Sequence, residues 1–164
     1  MVFDCSGALR GDDGAEVAQV SEVADPGFAR VSVGPNTYEV SRPGALGWHF
    51  QLLDGGSRVL YDFRPGLRRG GTIRSEQGEG VAKLAKNWTG RGWRIALADG
   101  IAIDVRRRSG VAGPALAGGS LVAPELNLTM SGIDLGTGDL WPLLAFSCWL
   151  ISQWESERPG RPVG

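Results

Sequence analysis

The chain holds one histidine, and its surroundings are the first place to look for acid–base chemistry. In "WHFQLLDGGSRVLYDF", residues 48–63, a strand–turn–strand reading with Gly55-Gly56 as a two-residue turn sets His49 opposite Asp62. A carboxylate beside an imidazole can orient a general base. No serine or cysteine stands near the pair as a nucleophile, so it reads as an ordinary cross-strand polar pair. One histidine without a cysteine cluster also excludes the usual zinc arrangements. Cys5 lies in a polar stretch and Cys148 inside an apolar one. They read as a free thiol and a small buried apolar residue. "GEGVAKLAK", residues 78–86, starts like a phosphate loop but lacks the Gly-Lys-Ser/Thr ending. Asp12-Asp13 sits in a glycine-rich segment, and no loop has the alternating acids of a calcium site. We therefore expect no enzyme, and assign no catalytic, cofactor-binding or metal-binding residue.

Charge carries more information. The net charge of −1 is unevenly spread. Residues 1–45 hold three basic and seven acidic residues, a net of −4. Residues 46–110 hold twelve and six, a net of +6, and residues 111–164 hold two and five, a net of −3. The middle segment contains "RPGLRRGGTIR", with Arg64, Arg68, Arg69 and Arg74, and "VRRRSG", with Arg106, Arg107 and Arg108. These seven arginines are the candidate anion- or headgroup-binding residues. Each basic residue near an anionic membrane contributes about 1 kcal/mol of attraction. Trp88 and Trp93 beside Arg91 and Arg94 could stack on nucleic-acid bases. Trp93 is assigned inward by the strand pattern below, and the pI of about 5.8 is acidic. The expected partner is thus an anionic lipid headgroup or a protein, not a nucleic acid. "MVFDCSGALRGDDG" lacks the basic and apolar regions of a signal peptide. With no spanning run either, the expected location is the cytoplasm, at most peripheral to a membrane.

The elements that must carry these residues follow from hydrophobic periodicity. The 48–63 hairpin pairs Leu52 with Val59, Phe50 with Tyr61 and Trp48 with Phe63, all on one face. In "WRIALADGIAIDV" a three-residue loop, Ala98 to Gly100, sets Ile95 against Ile103 and Trp93 against Val105. Arg94 then meets Asp104 on the other face. Gly100 takes the left-handed position that closes such a loop. "ARVSVGPNTYEVS" reads as a third hairpin, with Val33 against Tyr38 and Val31 against Val40. Further strands are expected at Val17–Val23, Thr72–Arg74, Ser120–Val122 and Leu126–Met130. "GVAKLAKNW" also reads as a strand, although its apolar spacing fits a helix too.

"DLWPLLAFSCWLISQW", residues 139–154, is different. Asp139 suits a helix cap and Pro142 a first turn. At about 100° per residue, large apolar side chains cover every side of the resulting helix. Such a helix is either enclosed in a protein core or spans a membrane. Its fifteen uncharged residues reach about 22 Å, short of the roughly 30 Å of a bilayer core. Enclosure follows. A chain whose other elements are strands can surround one helix by closing its sheet into a barrel. The domain then divides into a tail at 1–8, a barrel at 9–155 with its helix at about 139–155, and a polar tail at 156–164.

Three stretches together resemble the tubby-like superfamily, in its LURP-one-related and scramblase-like branch. They are "FQLLDGGSRVLYDF", "GEGVAKLAKNWTGRGWRIALADGIAIDV" and "LWPLLAFSCWLISQW". The resemblance covers roughly residues 9–155. It implies a closed barrel of about twelve antiparallel strands around a central hydrophobic helix. It also implies a binding or scaffold role: tubby proteins bind phosphoinositide headgroups through basic residues, and scramblase relatives associate with membranes. No lipid-binding motif of the family matches here residue by residue, so no site is carried over. The alternative is a small-ligand or enzymatic barrel with an internal cavity, which the content of the lumen would reveal.

Overall fold

The computed structural model describes residues 1–23, 29–44, 48–67, 69–89, 91–108, 125–131 and 140–156. The strands are β1 (Val2–Phe3), β2 (Ala8–Arg10), β3 (Glu16–Glu22), β4 (Ala29–Val33), β5 (Asn36–Ser41) and β6 (Phe50–Leu53). They continue with β7 (Val59–Pro65), β8 (Gly70–Ser75), β9 (Gly80–Lys86), β10 (Gly92–Leu97), β11 (Ala102–Arg107) and β12 (Leu126–Ser131). The helix α1 (Trp141–Ser156) follows them all. Each strand pairs antiparallel with its neighbour in sequence, and β1 pairs with β12 to close a barrel. The first residues are therefore not a tail. Val2 and Phe3 bridge β2 and β12, and Phe3 is buried. Closing the ring removes the exposed edges that an open sheet would present.

Period-two alternation selects the inner face. Val31, Leu52, Phe63, Ile73, Leu84, Ile95, Ile103 and Val105 all point inward and are fully or almost fully buried. The helix fills the space they enclose. Residues 143 to 152 are buried without a break, on every side of the helix. Its two buried hydroxyls are satisfied within the helix: Ser147 Oγ donates to the Leu143 carbonyl at 2.8 Å, and Ser152 Oγ to that of Trp149 at 2.7 Å. This back-bonding lets a polar residue sit in an apolar core. Cys148 is buried as expected, and burial pushes its thiol pKa up. Cys5 is exposed, and the two thiols are free. An apolar recess beside Leu97, Ile103, Leu140, Leu143 and Leu144 offers only about 10 Å³.

The β10–β11 register matches the sequence reading pair for pair, including Trp93 with Val105 and Arg94 with Asp104. Two other registers need correction. In β6–β7, Phe50 faces Phe63 and Leu52 faces Tyr61. In β4–β5, Val31 faces Tyr38 and Ala29 faces Val40 across the two-residue turn Gly34-Pro35. A shift of two residues keeps every side chain on its own face, so alternation cannot detect it. The loops decide instead. At β6–β7, Asp54 N bonds Arg58 O at 2.9 Å and Ser57 N bonds Asp54 O at 3.0 Å. That is the same three-residue loop as at Gly100, with Ser57 in the left-handed position at φ 64°; it shifts the pairing by one residue, and a bulge between Leu52 and Leu53 adds the second. Gly55 and Gly56 do not take positive φ angles. Asp54 Oδ1 holds the loop by accepting from the Gly56 and Arg58 amides at 2.9 and 3.0 Å. β3, β8, β9 and β12 lie where strands were expected, while 120–122 and Asp139 fall outside the described residues.

Candidate anion-binding rim

The connections of the barrel sort into two ends with opposite charge. One end carries the β2–β3, β6–β7, β8–β9 and β10–β11 loops. These present Asp12, Asp13, Asp54, Glu76, Glu79 and Asp99 against Arg58, which is bonded to Glu76. The other end carries the β1–β2, β5–β6, β7–β8, β9–β10 and β11–β12 connections. Their described residues include Arg42, Arg69, Arg91 and Arg108 against Asp4 and Glu125. Strand ends add Arg64, Lys86, Arg106 and Arg107 to this rim, set against Glu22, while Arg10 at the end of β2 stands at the acidic end. The +6 of the middle sequence thus becomes a spatial polarity, because alternate loops share one end.

The seven candidate arginines do not form one patch. Arg64, Arg69, Arg106, Arg107 and Arg108 are exposed at the basic end. Arg74 is exposed but lies further down β8, opposite Asp62. Arg68 is outside the described residues. From β8 to β11 the two groups stand three strand spacings apart, about 14 Å. Two arginines are already engaged: Arg64 Nε donates to Asp62 Oδ2 at 2.9 Å, and Arg108 Nη1 to Glu125 Oε1 at 2.6 Å. Among the described residues, Arg69, Arg91, Arg106 and Arg107 form no ion pair. Arg42 joins the rim from β5–β6, and its buried Nε lacks a partner among the described residues. Arg42 and Lys86 were not singled out from sequence, and Arg91 only beside Trp88 as a base-stacking candidate, since isolated basic residues give no run to notice.

The helix ends beneath this rim. Glu155 Oε1 accepts from Trp93 Nε1 at 2.7 Å and from Lys86 Nζ at 3.1 Å. Burial alone would raise the Glu155 pKa, but these bonds and the charges of Lys86 and Arg107 hold it below its ordinary value. The last turn of α1 has no basic residue of its own. The barrel wall supplies Lys86 and Arg107 close to the negative end of the helix dipole. Just inside, Trp154 is stacked between Trp48 and Trp93, with ring centroids 5.0 and 4.9 Å away. Phe63 meets Trp154 edge-on at 5.4 Å. Aromatic rings therefore close the lumen at the basic end.

His49 and Asp62 do meet, with His49 Nε2 2.5 Å from Asp62 Oδ1. The true register makes Gln51 the direct partner of Asp62 and His49 a diagonal one. Gln51 Nε2 donates to the same oxygen at 2.9 Å. Burial would raise the Asp62 pKa, but hydrogen bonds from His49, Arg64 and Gln51 outweigh it and hold the carboxyl at about 2. Such a weak base is suited to tying strands together. Its folded pKa lies below the ordinary 3.8. Its contribution to stability is therefore complete above about pH 4 and lost as pH falls through about 2. With allowance for solvent screening, Asp62→Asn should remove about 1–2 kcal/mol of acid-dependent stability. Urea midpoints at pH 6 and near pH 2.5 will then differ less in the variant than in the parent.

Among the described residues, no group of three or more His, Cys, Asp or Glu side chains is arranged to hold a metal ion. Among them, too, no helix is long and apolar enough to cross a membrane. No protein-family model, curated protein or solved structure matches the chain.

Proposed function

We propose that this chain is a non-enzymatic binding domain of tubby-like type, whose basic end recognises anionic phospholipid headgroups at a membrane surface. The reading rests on one observation: the barrel is basic at one end and acidic at the other. A molecule with this polarity orients in the field of an anionic surface, with its arginines toward the lipid. The guanidinium groups of Arg69, Arg91, Arg106 and Arg107, which form no ion pair among the described residues, can pair with phosphate oxygens, a match suited to their fork of donors. The packed lumen counts against the alternative of a ligand-holding or catalytic barrel. A recess of about 10 Å³ is far below the roughly 300 Å³ of a small-molecule site.

Liposome sedimentation tests the proposal. The protein should pellet with vesicles containing phosphatidylserine and stay in the supernatant with phosphatidylcholine alone. Reversing Arg106, Arg107 and Arg108 to glutamate should weaken binding at least tenfold, and added salt should weaken it further. Because Arg108 is paired with Glu125, circular dichroism must accompany that variant, and R69E/R91E provides a second one. Failure of the parent to bind, or binding indifferent to both reversals, would overturn the proposal.

A further inference from the structure

Of the six tryptophans, five are buried or partly buried and Trp88 is 99% exposed. Leu67 is 108% exposed. Both values describe side chains that contribute nothing to the core. Both residues belong to the basic end, at the β7–β8 and β9–β10 connections. Strand pairing fixes how they stand relative to each other. Gly70 of β8 faces Ala85 of β9. Leu67 lies three residues before Gly70, and Trp88 lies three residues after Ala85. The two tips thus project side by side to a similar height above the same row of the sheet. Arg69 precedes β8 and Arg91 precedes β10, so each apolar tip has a basic residue on its own loop. Among the described residues the remaining exposed large apolar side chain, Val23, is at this same end, after β3.

We infer that Trp88 and Leu67 insert into the interfacial layer of an anionic bilayer, while Arg69 and Arg91 remain at the level of the phosphates. This deepens the lipid reading above and rests on it. An indole favours the headgroup–acyl boundary, where its ring is buried and its N–H stays among polar groups. Charge alone turns the basic end toward the surface but leaves its depth unset. Two anchors on adjacent loops fix how deep that rim sits. Zwitterionic phosphatidylcholine vesicles would offer the apolar contact without the net negative surface charge, so both chemistries are required for strong binding.

The test pairs partitioning with depth. Leu67→Cys in a Cys5→Ser background places an environment-sensitive fluorophore at one tip, and Gln77→Cys places it at the acidic end. Vesicles of phosphatidylcholine and phosphatidylserine carrying brominated acyl chains should quench the probe at 67 and leave the probe at 77 unchanged. Trp88→Ala should lower partitioning roughly tenfold while its melting temperature stays that of the parent. If the parent binds phosphatidylserine vesicles but the probe at 67 is not quenched, or Trp88→Ala binds as the parent does, insertion is overturned and the headgroup reading stands. If the parent does not bind these vesicles, the headgroup reading falls and insertion falls with it.

Discussion

Trp154→Ala should destabilise the protein by about 3–5 kcal/mol, the range for truncating a large buried aromatic. The ring is almost fully buried, lies flat between Trp48 and Trp93, and receives the edge of Phe63. Removing it leaves three aromatic neighbours facing a void that barrel walls cannot collapse to fill. In a chain of this size the loss lowers the melting temperature by on the order of 10 °C. Parallel indoles about 5 Å apart also couple their electronic transitions. The coupled circular-dichroism bands should therefore disappear along with the stability. Trp88→Ala is the control, with an expected change within about 0.5 kcal/mol because that ring touches no core. Equal melting of the two variants would mean that Trp154 does not occupy the lumen.

The second large effect concerns a glycine. A Cβ added at Gly71 would lie 2.2 Å from the Arg64 carbonyl oxygen and 2.6 Å from the Phe63 ring. Neither neighbour has room to retreat. Arg64 is held in the β7–β8 ladder opposite Thr72, and Phe63 is fully buried against Trp154. Gly71→Ala should cost about 2–3 kcal/mol, as overpacking of a filled core does. Gly80→Ala, whose nearest neighbour is Thr72 Cγ2 at 3.7 Å, should be close to neutral. Denaturant melts of the two variants make the comparison. Phe63→Leu should partly offset Gly71→Ala, because the two changes share one volume. Full additivity of that pair would contradict the contact.

What the sequence could reveal follows from the same physics. The helix was legible because its apolar side chains leave no side for water, and its length is wrong for a bilayer. Those two facts together demand a surrounding sheet. Inner and outer faces were legible because alternation assigns them directly, as Ile95, Ile103 and Val105 show. Register was legible where a glycine occupied the left-handed loop position, as Gly100 does. It was not where Ser57 occupied the equivalent position and Gly55-Gly56 offered a false turn. The first residues escaped notice because two residues, Val2 and Phe3, are too few to show a period. The basic end was half legible. Runs such as Arg106–Arg108 catch the eye, whereas Arg42 and Arg91 join them only through the alternation of loops between two ends. Leu67 was hidden for a different cause: an apolar residue in a loop gives no hint of whether it faces inward or out. Trp88 was noticed beside Arg91, but as a base-stacking candidate at the end of a strand that in fact stops at Lys86.

Every strand of this barrel precedes the helix that fills it, and the first strand must wait for the twelfth. During synthesis, twelve hydrophobic staves leave the ribosome before the rod they are shaped around. Until that rod arrives, the chain is a sheet with a greasy hollow and an unjoined seam. Acquisition of structure is therefore back-loaded, and long-range closure of this kind is slow. A released chain truncated before residue 140 should be a better client for holding chaperones than released residues 1–164, which carry the helix.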